Sequence, residues 1–327
     1  MIRSIYYDAN GKQRENLTVE EFTQALQAGK GLLWVDFEAT PAEDDAPILL
    51  NIFGFHPLAV DDALQETHLA KVDDWENYLY IVMQSVSYTG GDEDIELTEL
   101  DVFLGTNFIV THHDLPIACL NRVWRACQQH ERYLKLGADH ILYKLADEMT
   151  VDYMQVVEAF DEEIEWIEDQ VFERPSADMA QRIFILKRAT MHLRRAVSPL
   201  REVLNRLARD DFAVVDKRDR VYFRDVYDHL VRLHDITEGL RDLVGGALDT
   251  YLSVINNRMN EVMKTLTVIT TLFMPVSFLV GFFGMNFFIP DEPITLLMEK
   301  PFFIAVLVMM FITPISMLIW MRRRRWM

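Results

Sequence analysis

An α/β amino-terminal domain, then long helices, then two carboxy-terminal membrane helices: three observations on the 327 residues predict this fold class. Residues 1–117 alternate short β-branched or aromatic apolar runs with helical patterns. From residue 115 the apolar periodicity turns helical and stays so. Two stretches near the end, residues 265–290 and 301–321, contain no charged residue and are 26 and 21 positions long. About 20 apolar residues span a bilayer core as a helix, so both are long enough.

In chain order, strands are expected at residues 2–7, 32–37, 78–88, 97–104 and 108–112. Helices are expected from the Thr18 cap to Ala28 and over residues 42–53, with Gly29 and Gly54 as stops. Residues 117–172 read as one amphipathic stretch, Arg174-Pro175-Ser176 breaks it, and residues 180–209 resume it, so a helical hairpin is expected over 118–215. Its acidic run Asp161, Glu162, Glu163, Glu165, Glu168, Asp169 reads as a solvated face or as a surface that concentrates cations. From 216 to 283 only Gly245-Gly246 and Pro275 interrupt a helical pattern of about 100 Å at 1.5 Å per residue. Its polar half cannot be stable alone, which predicts a stalk packed in an oligomer. The expected divisions are 1–117, the α/β domain; 118–215, the hairpin; 216–264, the stalk; 265–287, the first span. They continue with 288–300, an external loop; 301–321, the second span; and 322–327, a basic tail.

Lys+Arg total 32 against Asp+Glu 51, a net charge of −19. Such a chain is not expected to bind nucleic acid, whose phosphates need a basic surface. With half its residues hydrophobic it is too apolar for a disordered chain. Cys119 and Cys127 match no disulfide framework or CxxC metal spacing and read as buried thiols. Residues 1–16 carry no pattern of a secretory or transit peptide. Arg322–Arg325 follow the second span, and Arg258 and Lys264 precede the first, so both termini are expected on the cytoplasmic side of a cell (inner) membrane. Taking away the link's three acids and the five bases of Lys300 and the tail leaves 48 acids and 27 bases, a balance of −21. The expected picture is an acidic cytoplasmic body on two membrane helices.

One face of the long helix is informative. Asp249, Leu252, Asn256, Asn260, Met263, Leu266, Thr270, Met274, Ser277, Gly281 and Gly284 recur every three or four residues, a supercoiling seam. Polar groups on it persist into the apolar span, where lipid would penalise them. Two readings stand: small and hydroxylated residues allow close helix packing, or several copies line a wet axial path. The second requires a homo-oligomer, because two spans cannot enclose a path. After the first span comes Gly284-Met285-Asn286. The glycines let the backbone approach an axis, and the uncharged Asn286 amide can hydrogen-bond the water shell of Mg²⁺, which dehydrates reluctantly. No HExxH, phosphate-binding loop or nucleophile–base motif is visible, and an enzyme is not expected. His112-His113, His229 and His234 read as ordinary surface or packed histidines.

The chain resembles the CorA family of divalent-cation channels over nearly its whole length. The resemblance is carried by Tyr251-Leu252-Ser253, by Asn257-Arg258-Met259-Asn260-Glu261-Val262-Met263-Lys264, by Phe273-Met274-Pro275 and by Gly281-Phe282-Phe283-Gly284-Met285-Asn286-Phe287. Tyr222-Phe223-Arg224-Asp225-Val226-Tyr227-Asp228-His229, Phe53-Gly54-Phe55-His56-Pro57-Leu58 and the Arg-rich end with Trp326 add to it. It implies a funnel-shaped homopentamer whose first membrane helix lines the pore, with Gly284, Met285 and Asn286 as the selectivity filter. Asn260, Met263, Leu266, Met274, Ser277 and Gly281 match pore-lining positions, Met263 and Leu266 forming the apolar constriction; Asp249 would be an acidic ring, and Thr270 lies on the same seam. It further implies regulatory Mg²⁺ between subunits, held by Asp62 with Asp225 and more weakly by Asp61 with Asp147, the transported ion being Mg²⁺, with Co²⁺ and Ni²⁺ as further candidate cargo, and no organic cofactor. Ser277 stands where the family commonly has Thr, and Ile289-Pro290-Asp291-Glu292-Pro293 replaces the usual Met-Pro-Glu. Two alternatives remain open: a proton-coupled Zn²⁺ transporter of the same superfamily, which usually carries Gly-Ile-Asn, and a membrane-anchored structural or signalling oligomer.

Overall fold

A computed structural model describes residues 1–29, 31–65, 69–88, 90, 95–173, 175–283 and 300–324. The apolar run β3 (Gly31–Glu38) is buried on both faces, which is why it reads as continuous rather than alternating. Leu32 and Trp34 point into one core, and Leu33, Val35 and Phe37 into the other. Around it lie β1 (Ile2–Asp8), β2 (Gln13–Glu15), β4 (Lys71–Asp74), β5 (Tyr78–Ser87), β6 (Glu96–Gly105) and β7 (Phe108–His113) in the order β2-β1-β3-β7-β6-β5-β4. β3 and β7 pair in parallel, and the other neighbours are antiparallel.

The helices α1 (Val19–Gln27), α2 (Ala42–Asn51) and α3 (Pro57–Leu64) cover one face of the sheet. Thr18 caps α1 in a capping box with Glu21, as the sequence suggests. On the other face lie α4 (Ala118–Gln129), α6 (Ala138–Glu173), α7 (Ala177–Arg209) and the first part of α8 (Arg220–Phe283), with α5 (Arg132–Leu136) as a connector. Tyr153 of α6 donates its hydroxyl to the Gln84 carbonyl at 2.9 Å and ties the helical layer to β5.

Three expectations need correction. Residues 117–172 are not one helical stretch. His130 is extended, and Gly137 takes φ +117°, a conformation in which a side chain is strained, so the chain breaks into α4, α5 and α6. The hairpin is therefore α6 and α7, closed by the Ser176 cap on Met179. The stalk starts at Arg220, because residues 216–219 form a turn in which Arg218 N–H donates to the Asp216 side chain. The hairpin segregates charge: α6 carries 12 acidic residues against Lys144 alone, whereas α7 carries 8 basic residues against 2 acidic ones. Their attraction reinforces apolar packing, as in Glu163–Arg182 at 3.4 Å.

The chain divides into two compact units, Met1–Tyr251 and Leu252–Met327. The boundary expected at residue 117 does not separate bodies, because sheet and helices share one core containing Trp34, Trp124 and Tyr153. The second unit holds the rest of α8 and α9 (Lys300–Arg323). Helix α8 continues through Gly245-Gly246 and Pro275. Both apolar segments pass the length and composition requirement for a membrane span, with mean hydropathy 1.8 and 2.3.

Candidate functional site

Three groups of side chains bear on function: the α8 seam, and two clusters of acids in the first unit. The seam residues Leu252, Asn256, Asn260, Met263, Leu266, Thr270, Met274, Ser277 and Gly281 are all exposed on α8, as is Asp249 upstream. Half-buried residues on the same helix, Val268, Leu272, Val276 and Leu279, form a separate stripe. With half-buried Thr271 and Pro275 on its flank, this stripe is offset from the seam by one to two residues, roughly 100–200° around a helix, so the seam turns away from the half-buried face. Thr270 donates its hydroxyl to the Leu266 carbonyl at 2.8 Å. Its oxygen lone pairs are then left facing outward, as acceptors for water hydrogens. A Cβ added to Gly281 would meet nothing within 4 Å, so no contact within the described chain demands a glycine there. The expected filter, Gly284, Met285 and Asn286, lies outside the described residues, as does the loop that follows it.

The first acidic cluster is set by α3. His56 caps this helix by accepting from Leu58 N–H, and Pro57 presets its first turn. Ala59, Val60 and Ala63 are buried, which leaves Asp61 and Asp62 on the outer side. Asp61 accepts from Gln65 Nε2 at 2.7 Å. Asp62 accepts from Lys71 Nζ, which also meets Asp73 at 3.2 Å. The second cluster joins α6 to α8. Tyr143 stacks on Tyr222 at 4.9 Å, Lys144 pairs with Asp147 at 3.0 Å, and Asp225 is exposed three residues beyond Tyr222. Burial pushes the Tyr143 hydroxyl up, and the charges of Asp147 and Asp225 push the same way. Each expected metal pair thus takes one member from each cluster: Asp62 with Asp225, Asp61 with Asp147. Among the described residues no group of three potential ligands gathers within one chain. The donors still fit Mg²⁺: hard carboxylate oxygens at the surface, few enough for the ion to keep several waters.

Sequence reasoning missed a network beneath the first cluster. His112 and His113 are packed rather than surface histidines, one of the two expected readings, but they pack among carboxylates. His112 Nε2 lies 3.5 Å from Asp45 and its Nδ1 3.9 Å from Asp101, and the Tyr80 hydroxyl donates to Asp101 at 2.6 Å. Burial pushes the Asp101 carboxyl up to about 6, partly offset by His112 and Tyr80. For His112, burial favours the neutral ring, but the two carboxylates outweigh it and raise the group to about 9. His113 faces Asp36 at 3.4 Å, and Arg3 clamps Asp36 at 2.7 Å. Burial opposes the Asp36 charge, but His113, Arg3 and Thr111 prevail and hold the carboxyl below its ordinary range. The Lys71 ammonium lies 5.0 Å above the Tyr80 ring, which links this network to Asp62. The sequence signal was Asp101 and His112 standing inside otherwise apolar strand runs, where both faces are buried.

A family model described as CorA-like Mg²⁺ transporter protein matches residues 29–323, which is most of the chain and includes both membrane-length helices. The chain belongs to the CorA-like Mg²⁺ transporter family. The cobalt/magnesium transport protein CorA of Thermotoga maritima is 34% identical over 97% of this chain and 94% of its own length. The putative metal ion transporter YfjQ of Bacillus subtilis is 33% identical over 90% of this chain and 89% of its own. The fold matches the complete structure of the CorA magnesium transporter from Methanocaldococcus jannaschii with TM-score 0.81 and 22% identity, over 99% and 98% of the two chains. The zinc transport protein ZntB of Yersinia pseudotuberculosis is a more distant relative of this chain, 24% identical over 75% of it and 73% of its own length. The CorA resemblance drawn from motifs is therefore borne out, and with it the α/β body, the long helices and the two candidate membrane helices.

Proposed function

We propose that identical copies of this CorA-family chain, five in number, assemble around the α8 seam into a membrane channel for Mg²⁺. The observation that carries this reading is an unbroken helix whose exposed seam, polar or small at Asn256, Asn260, Thr270, Ser277 and Gly281, runs on into a 26-residue uncharged span. In lipid such a row is costly; around an axis it lines a path for a hydrated ion. Acceptors such as the Asn260 amide oxygen and the Thr270 and Ser277 hydroxyls meet the outward-pointing hydrogens of the ion's waters. Gly284, Met285 and Asn286 select the ion at the outer mouth. Met263 and Leu266 form an apolar ring that is dry when narrow and conducts when it widens. Both termini lie in the cytoplasm of a cell whose inner membrane holds the channel.

The driving force is the membrane potential. A divalent ion gains about 4.6 kcal/mol per 100 mV inside-negative, which sustains an inward excess of over about a thousandfold. Entry on that scale needs a brake. Head-to-tail packing of copies in a ring brings the α3 cluster of one subunit against the α6–α8 cluster of the next. Asp62 and Asp225 then hold one shared Mg²⁺, and Asp61 and Asp147 contribute a weaker second site. Ligand bound across the interfaces favours the closed, symmetric ring; without it the carboxylates repel and α8 is freed to move.

The test is flux into proteoliposomes of Mg²⁺, Co²⁺ and Zn²⁺, with and without a pH gradient. Mg²⁺ uptake driven by potential alone is expected. Zn²⁺ uptake that requires a proton gradient would favour the ZntB-like alternative, and no flux of any ion would favour a structural role.

A further inference from the structure

We propose that Lys71 is a resident counter-ion of Asp62, which competes with the regulatory divalent cation for that carboxylate and so raises the Mg²⁺ concentration at which the channel closes. The inference rests on the reading of Asp62 as an inter-subunit ligand.

The placement follows from strand register. In β4, Lys71 pairs with Val82 and Asp73 with Tyr80. Alternation sends Val72 into the core on the helical-hairpin side and leaves Lys71 and Asp73 on the α1–α3 side, where α3 presents Asp62. The ammonium sits between two carboxylates, touching Asp62 and lying 3.2 Å from Asp73, with the Tyr80 ring 5.0 Å away. The side chains of Lys71, Asp62 and Asp73 are 30%, 41% and 45% exposed, so the pair is open to exchange with ions from solution. Exposed pairs of this kind are weak, and a divalent ion can displace the ammonium from Asp62. The displaced charge stays tethered within a few ångströms and repels the incoming ion. At about 5 Å in a watery dielectric, that repulsion lowers the apparent affinity about tenfold.

The competing role for a lysine at this position is to hold Asp62 in the orientation a neighbouring subunit needs. The two roles predict opposite shifts. The full-length channel in proteoliposomes, with internal Mg²⁺ varied, separates them. Lys71→Met is expected to lower the half-closing Mg²⁺ concentration about tenfold. Lys71→Arg should stay near the wild type, and Lys71→Met in an Asp62→Asn background should add nothing to Asp62→Asn alone. Lys71→Gln provides a second neutral variant, expected to shift the same way, should the methionine impair assembly. An unchanged or raised half-closing concentration in the neutral variants, or a shift that persists without the Asp62 carboxylate, overturns the proposal. A wild-type channel indifferent to internal Mg²⁺ removes the reading of Asp62 and this one together. A wild type that closes normally, with the neutral variants unmoved, removes only this one.

Discussion

His112→Gln should remove a large, pH-dependent share of the local stability of the sheet. The ring sits between Asp45 at 3.5 Å and Asp101 at 3.9 Å, and all three side chains are at most 5% exposed. These are ion pairs rather than close hydrogen bonds, so charge carries the interaction. The carboxylates raise His112 from its ordinary 6.5 to about 9. At 1.36 kcal/mol per unit of pKa, the protonated ring is worth up to about 3 kcal/mol. Because the folded value lies above the unfolded one, this stabilisation is fully present below pH 6.5 and is lost as pH rises through 9. Asp101, raised to about 6 by burial, loses its own proton-linked contribution earlier, between 3.8 and 6, and leaves the upper window to His112. Glutamine keeps similar bulk but no charge, and it leaves two buried carboxylates without their cation, which is strongly destabilising. The assay is hydrogen exchange at the β6 and β7 amides of the full-length protein between pH 6.5 and 9.5, corrected for intrinsic exchange. The wild type should lose protection across the window, and the variant should start lower and lose less, its remaining slope coming from Asp101, whose carboxyl rises further once His112 no longer offsets burial. Equal slopes for the two proteins would refute the reasoning.

Three further outcomes are expected. Asp62→Ala should raise the internal Mg²⁺ needed for closure at least tenfold, measured as flux against internal Mg²⁺, since one of two carboxylates is lost from the shared site. Leu266→Ala should leave a leak at saturating internal Mg²⁺, because a wider, less apolar ring wets more readily. Gly105→Ala should destabilise the sheet by about 1–3 kcal/mol in denaturant unfolding, since its new Cβ would fall within 2.8 Å of three Phe108 ring atoms.

Much of the architecture was legible because burial leaves a pattern. β1, β3, β5, β6 and β7 announce themselves by apolar or alternating runs, and the two spans by their lack of charge. The edge strands β2 and β4, Gln-Arg-Glu and Lys-Val-Asp-Asp, were invisible because an exposed edge asks for polar residues. The break at Gly137 was hidden inside an intact apolar periodicity, since a single left-handed residue changes direction without changing composition. The seam was legible from spacing alone. The partner of Asp62 was not: Lys71 reaches it through strand register and helix placement, neither of which a linear reading contains. The carboxylate partners of buried His112 were not legible for the same reason, because the three charges come from α2, β6 and β7.

Cysteine substitution along α8, read with a water-soluble, membrane-impermeant thiol reagent during Mg²⁺ flux, tests the wet axis most directly. The background is quiet, because burial raises native Cys119 to about 11 and Cys127 to about 12, and neither is exposed. Asn260→Cys, Thr270→Cys and Ser277→Cys on the seam should react and block flux, and Leu272→Cys and Leu279→Cys on the half-buried stripe should not. Equal labelling of the two faces, or seam labelling that leaves flux intact, would contradict a path lined by this face of α8.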